Sequence, residues 1–560
     1  MVRRILSLLH TEVSGLHEAA FLLAIFAFAA KILALVRDRL LVDMFGASAT
    51  LDIYYAAFRI PDFIYASLGT LVASAVLIPF IVSKLEKGEE VLRFFSNIFT
   101  AFFFVTISAS TVVFFFMPAL STLIVPGLSS AAQETLVTLS RIMLLSPILL
   151  GLSGLFASVT QSLRRFYVYA LAPILYNVGI LGGIVFLYPL YGLSGLAYGV
   201  VLGALLHVGV QIPVLARNNF LPRFVFPIRW GEIKHVLTLS IPRTIALSAH
   251  DITILILVAL ASFMAEGSIT VFNLSFNLQS VPLSIIGVSY SIAAFPTLAR
   301  LFSNGDRLTF VSHIISAARH IIFWTLPVLV LFIVLRAQIV RTILGTGEFD
   351  WADTRLTAAA LALFVVSAAS QSLILLFVRG YYAAGRTLKP LFINIGSLLF
   401  IVACAFMFNT IFETSALFRY FLESLLRIEY LPGSKVLILP LAFSIGAFLN
   451  IVLLWYFFKK DFEVSFRELA CTLRQSFLAS VIAGFVTHQS LRVADNIVDI
   501  NTFFGIFSQG LVSGIVGVAA GIIVLKLIRN KEIEDIQKTL THKFWKTKPI
   551  APDQGDLVGH

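Results

Sequence analysis

The chain has 560 residues, of which 59% are hydrophobic and only 13% charged, with a mean hydropathy of +0.94. Soluble domains carry about 25% charged residues, so this composition excludes a protein whose main solvent is water. The net charge of +11 requires no nucleic acid, because anionic lipid at the inner leaflet of a membrane attracts the same Lys and Arg residues.

The first stretch, 1–15, is basic and weakly amphipathic. It lacks a small-residue cleavage site and is not read as a removed signal peptide. After it, apolar runs of about 20 residues recur, each long enough to cross a bilayer of about 30 Å. The predicted spans lie near 17–42, 51–83, 94–117, 135–162, 167–188, 192–216, 232–262, 268–300, 312–335, 355–384, 387–410, 435–458, 473–491 and 503–526. None shows the period-2 alternation of a barrel strand, so the fold class is an all-α polytopic membrane protein of about fourteen helices. The two cysteines, Cys404 and Cys471, have no pairing or metal spacing.

Alternate loops differ in charge. One set carries Arg3 and Arg4, Lys84 to Arg93, Arg164 and Arg165, Arg217 to Lys234, Arg300 to Arg319, Arg379 to Lys389, Lys459 to Arg474, and the tail from Lys526 to Lys548. The opposite loops at 118–134, 189–191 and 263–267 contain neither Lys nor Arg, and those at 336–354 and 411–435 mix a few with acids. By the positive-inside rule both termini are expected in the cytoplasm.

A duplication runs through the chain. Pro173, Asn177 and Gly179 recur 217 residues later as Pro390, Asn394 and Gly396, and Pro79, Gly88 and Glu89 recur as Pro296, Gly305 and Asp306. Further on, 201–207 resembles 444–450 at a shift of 243, which places an insertion around 411–435. The expected organisation is an N-terminal lobe (1–230, helices 1–6), a C-terminal lobe (231–460, helices 7–12), two additional helices (461–527) and a basic cytoplasmic tail (528–560). Six helices per copy is even, so the copies share one orientation about an axis along the membrane normal. Within the insertion, Arg419, Glu423 and Arg427 fall at helical spacing opposite Leu417, Phe418, Phe421, Leu425 and Ile428. That pattern predicts an amphipathic helix on the outer surface.

Ionisable groups inside a membrane cost about 2.5–3.5 kcal/mol each on insertion scales and default to functional candidates. Lys31, Arg37 and Asp38 belong to the first span, Asp52 and Arg59 to the second, and Arg243, His250 and Asp251 to the seventh. The first and seventh spans are repeat counterparts, so both groups can face one central cavity. Cations outnumber acids there, which suits an anionic head group, and Arg matches phosphate geometry best. Several of these residues can instead pair with each other. His207 stands alone among apolar neighbours and is read as a hydrogen-bonded core residue.

The stretches L-V-R-D-R-L-L-V-D-M-F-G-A (35–47) and L-D-I-Y-Y-A-A-F-R-I-P-D-F (51–63) closely resemble the opening of the MurJ (MviN) lipid II flippase family. Residues 191–207, 281–300, 343–361 and 379–390 continue the resemblance, which covers roughly 20–460. It implies two lobes around a cationic cavity for the lipid II diphosphate and sugars, and a lipid-tail groove at the last two helices. By position, Arg37, Asp38 and Asp52 match the family's charged cavity residues, and Lys31 stands where the family usually has arginine. Tyr65 and Asn277 stand where cavity arginines are expected, and Thr70 and its successors replace an acid and a glycine. Arg59 and Arg243 are candidates to restore the cavity charge.

The substrate-binding set is therefore Lys31, Arg37, Arg59, Arg243, Asn277 and Tyr65, with Asp38, Asp52 and Asp251 as coupling or structural acids. Neither a catalytic residue nor a metal site is assigned. The implied partners are lipid II, membrane lipids and the peptidoglycan-synthesis machinery, in the cytoplasmic membrane of a bacterium, with a coupling cation (Na+ or H+) in place of any cofactor. The competing readings are export of another polyprenyl-diphosphate-linked oligosaccharide, a non-transporting scaffold, and a membrane-embedded enzyme. An enzyme needs paired acid–base groups. Only His250 and Asp251 are neighbours, and adjacent helical residues diverge.

Overall fold

The computed structural model describes residues 16–69, 77, 78, 81, 84, 91–163, 165–464, 467–499 and 502–534, and the regular elements among them are helical. The basic start before Leu16, Thr70, Pro79, Gly88 and Glu89, and the tail beyond Glu534, lie outside the described residues.

In chain order the long helices begin with α1 (Leu16–Phe45) and α2 (Ala49–Ala57), the latter continued by Arg59–Ile64 and a π-helical turn, Tyr65–Gly69. There follow α3 (Val91–Ile124), α4 (Ser130–Ser162), α5 (Phe166–Tyr191), α6 (Leu193–Arg217) and α7 (Trp230–Ala261). Next are α8 (Ser268–Ser303), α9 (Arg307–Val334), α10 (Trp351–Ala383), α11 (Leu388–Thr414), α12 (Ser434–Phe462), α13 (Arg467–Ala494) and α14 (Phe503–Leu527). Eleven helices among the described residues, α3–α6 and α8–α14, are long and apolar enough to cross a membrane. The other three are α1, α2 and α7, which carry the intramembrane charges anticipated from the sequence, so the arrangement is consistent with fourteen spans.

Helix starts follow ordinary capping chemistry. Ser129, Asp306, Asp350 and Thr502 each accept a hydrogen bond from a first-turn backbone N–H, at the heads of α4, α9, α10 and α14. The packing repeats itself along the chain. Helix α1 lies on α5, α5 on α6, α6 on α4, and α4 on α3 and α2. Likewise α7 lies on α11, α11 on α12, α12 on α10, and α10 on α9 and α8. Helix α13 then packs on α9, and α14 on α13. The α13–α14 seam runs over small residues: a Cβ on Gly517 would meet the Thr487 hydroxyl at 1.8 Å, so the helices approach more closely than larger side chains permit.

The insertion forms the helix Ala416–Leu426, capped by the Ser415 side chain. Its Leu417, Tyr420, Phe421 and Leu425 are exposed, as an amphipathic surface helix requires. His207 donates to or accepts from the Ser153 hydroxyl at 2.6 Å, as a core histidine would. At the Lys-rich end, the short segment after α14 is held down by Glu532, which accepts from Arg319 of α9 at 2.7 Å and from Thr472 of α13 at 2.9 Å.

Candidate functional site

The polar residues of α8 recur at 270, 273, 277 and 280, a 3-4-3 spacing that places them on one face of the helix. That face meets the charged residues of α1 and α2. Thr270 donates to Asp52 through its backbone N–H (2.7 Å) and its hydroxyl (2.6 Å), and the Gly267 N–H donates to the other carboxylate oxygen at 2.8 Å. Asn273 accepts from the Arg59 guanidinium. Asn277 donates to Asp38 at 3.1 Å, and Ser280 accepts from the Lys31 ammonium at 3.0 Å. The result is a continuous polar seam joining helices of the two repeat copies through the low-dielectric part of the membrane.

Asp52 and Asp38 are buried, and Arg37 forks onto Asp38 at 2.7 and 3.0 Å. Its charge is thus met by its own neighbour, one of the two arrangements open from the sequence. Asp52 sits beyond the N-terminus of α8, where a carboxylate satisfies orphan N–H groups and faces the positive end of the helix. Arg59 lies within electrostatic reach of Asp62 and Asp251. His250 lies against the rings of Phe276 and Phe443 and within electrostatic reach of Asp251. Tyr65 is exposed at the start of the π-helical turn. Arg243 belongs to α7, but its side chain lies outside the described residues.

Several buried polar atoms near the seam have no partner within the protein: the Tyr54 and Tyr55 hydroxyls, Arg59 Nε and Gln279 Nε2. Such groups are expensive to bury dry, so water or a polar ligand would satisfy them. No group of three or more His, Cys, Asp or Glu residues able to hold a metal occurs among the described residues.

The seam ends, at the Lys/Arg-poor side, in a backbone seal. The Gly127 N–H donates to the Ser262 hydroxyl at 3.1 Å, and Glu348 N–H donates to the Asp43 carbonyl at 3.1 Å. The Asp43 carboxylate accepts from Thr346 at 2.7 Å, and the Ala47 N–H donates to Asp353 at 3.1 Å. Arg39 donates to the Thr342 and Ile343 carbonyls at 2.7 and 3.0 Å and lies over Phe503. Two glycines make the approach possible. A Cβ on Gly127 would stand 2.1 Å from the Ser262 carbonyl oxygen, and one on Gly267 (φ +83°) 2.2 Å from that of Ala47.

Of the residues singled out from the sequence, Lys31, Arg37, Asp38, Asp52, Arg59 and Asn277 come together here, and Asp251 lies at the edge. Sequence reasoning missed Thr270, Asn273, Ser280 and Asp62. The first three were readable as a polar stripe inside an otherwise apolar helix.

A family model described as "Lipid II flippase MurJ" matches residues 41–507. The probable lipid II flippase MurJ of Buchnera aphidicola is 26% identical over 379 residues, covering 66% of this chain and 73% of that protein. The probable lipid II flippase MurJ of Bdellovibrio bacteriovorus is 28% identical over 412 residues, covering 70% and 78%. Among solved structures, lipid II flippase MurJ in an inward closed conformation superposes with a TM-score of 0.72 at 23% identity, covering 91% of this chain and all (100%) of that one. An inward-facing multidrug resistance MATE family transporter of the MOP superfamily superposes at 0.63 with 13% identity, covering 78% and 94%. With the family model spanning most of the polypeptide, this chain belongs to the lipid II flippase MurJ family.

Proposed function

We propose that the protein carries lipid II from the inner to the outer leaflet of a bacterial cytoplasmic membrane by alternating access, with both termini cytoplasmic. The observation that carries this reading is the seam. Charged groups of α1 and α2 are held across to α8 by hydrogen bonds that must break if the two six-helix halves are to part at the Lys/Arg-poor, outer end. With the seam closed, Lys31, Arg59 and the tyrosine hydroxyls that lack hydrogen-bond partners receive the diphosphate head group from the cytoplasmic side. Opening frees the same polar atoms toward the outside and releases the cargo there. The polyprenyl tail stays in lipid along α13 and α14.

The driving force follows from charge. A head group bearing two negative charges gains about 4.6 kcal/mol on moving outward across 100 mV, inside negative, at about 2.3 kcal/mol per charge. Potential alone is then sufficient for export, and a cation bound at Asp251 during the return would add to it. The deciding experiment is expression in a bacterium depleted of its own lipid II flippase, with membrane levels measured in parallel. Rescue of growth is the expected result. Failure at normal membrane levels overturns lipid II as the cargo and points to another polyprenyl-linked glycan.

A further inference from the structure

A second cationic site lies outside the seam, at the Lys/Arg-poor end of the C-terminal half. A cavity of about 450 Å³ opens between the helix Ala416–Leu426, the start of α10 and the ends of α9, α13 and α14. Arg336, Arg355, Arg427, Arg492 and His488 line it, with Asp495 as the carboxylate among the lining residues. Asp495 is already engaged, accepting from Gln509, which lies buried on the cavity floor. Four guanidinium groups thus share one cavity at the end of the molecule where loops 118–134, 189–191 and 263–267 contain no Lys or Arg at all.

Helix capping accounts for only part of this. Arg336 donates to the Leu426 carbonyl at 2.9 Å and Arg355 to the Arg427 carbonyl at 2.7 Å, closing the C-terminus of the amphipathic helix. Each of those bonds uses one of the five N–H donors of a guanidinium. Arg427 adopts a left-handed backbone (φ 58°), which turns the chain back over the cavity. No side-chain hydrogen bond or ion pair engages Arg427 or Arg492 among the described residues. Burial and the neighbouring Arg427 charge also hold the Arg336 guanidinium below its ordinary value. An anion in the cavity would relieve that repulsion.

The surroundings indicate what kind of anion. The cavity wall includes Leu425, which is exposed and continuous with the exposed Leu417, Tyr420 and Phe421 of the same helix. Aromatic and leucine side chains on an amphipathic helix sit at the boundary between head groups and acyl chains. A cationic cavity beside such a surface offers a phosphate site and a place for the attached chains together.

We propose that this cavity binds the phosphate of an anionic phospholipid, held by Arg336, Arg355, Arg427 and Arg492 with its acyl chains along the apolar face of the Ala416–Leu426 helix. The lipid is a resident of the site and distinct from the cargo; only its assignment to the outer leaflet rests on the orientation proposed above.

The test is native mass spectrometry and thermal unfolding of the full chain, with phosphatidylglycerol or phosphatidylcholine added to detergent micelles. The variant is Arg427→Gln/Arg492→Gln, whose replaced groups make no contact that folding needs, with Arg217→Gln at the opposite end as control. Phosphatidylglycerol is expected to bind the wild-type chain and raise its unfolding temperature above that in phosphatidylcholine. With two charges removed its affinity should fall roughly thirtyfold, while the control behaves as wild type. Equal retention by the double variant overturns the site. Protection of the wild type by millimolar inorganic phosphate or diphosphate, but not by phosphatidylglycerol, overturns the lipid and assigns a soluble anion. Because the readout is lipid binding, either result is separate from whether the chain transports lipid II.

Discussion

Replacing Asp52 with Asn should loosen the closed end without removing side-chain volume. The carboxylate receives three hydrogen bonds from the head of α8, two from backbone N–H groups and one from the Thr270 hydroxyl. Hydrogen bonds to a charged group are worth about 1.5–3 kcal/mol each. The amide keeps one acceptor oxygen, so one or two bonds and the interaction with the helix dipole are lost, about 2–4 kcal/mol in all. A shift near 3 kcal/mol changes the open-to-closed ratio roughly a hundredfold. Ser48 reports on it, because its hydroxyl is buried at the same interface with no partner. In a background with Cys404 and Cys471 changed to alanine, Ser48→Cys should react slowly with a membrane-impermeant maleimide, at a rate that follows the open fraction. Adding Asp52→Asn should raise that rate ten- to a hundredfold. An unchanged rate in a folded, membrane-inserted protein would refute the seam as a gate.

Gly127→Val should have a related effect through sterics, since the added carbons meet the Ser262 backbone. The Ser48→Cys rate should rise and thermal stability should fall by about 1–3 kcal/mol, the usual range for overpacking. Arg59→Ala should lower head-group export in liposomes at least tenfold with expression unchanged. Full transport would remove Arg59 from the cavity charge. At the opposite end, burial works to raise the Glu532 carboxyl, but hydrogen bonds from its own backbone N–H, Arg319 and Thr472 outweigh it and hold it below the ordinary range. A depressed carboxyl contributes stability above its unfolded pKa of about 4.3 and loses it as pH falls through the folded value. Docking of the segment after α14, measured by protease protection, should therefore hold from pH 8 to 5 and fail only in stronger acid. Glu532→Gln should expose the segment already at pH 7.

Hydropathy and charge bias revealed the helix order because the bilayer imposes length and polarity on each span directly. The repeat was also legible, since Pro173 and Asn177 recur as Pro390 and Asn394 with their spacing intact. The charged half of the seam stood out because Lys31, Asp38, Asp52 and Arg59 are costly in lipid wherever they point. Their partners were harder to see. Asn273, Asn277 and Ser280 are neutral, common in helices, and acquire meaning only when α8 is known to face α1 and α2. Reading Asn277 as a lost arginine overlooked that an amide can donate to Asp38, which an arginine would also do with added charge. The cavity at Arg336 and Arg492 brings together loops far apart in sequence, and no local pattern announces such a meeting. The glycine seal was equally hidden, because closeness of backbones is a property of two segments and not of either one.

The π-helical turn in the second helix has a counterpart. Tyr65 begins one such turn and Leu283, 218 residues later, begins another in α8. That separation is nearly the offset at which the sequence repeats itself. A widened turn leaves its helix with fewer well-aligned hydrogen bonds and tends to mark functional positions. A deformation found at matching places in both copies is most simply inherited from the ancestor that was duplicated. On that view a half-length forerunner already carried the widened turn in its second helix, whereas the turn at Gly183–Leu187 in α5, which α11 does not repeat, belongs to one copy alone.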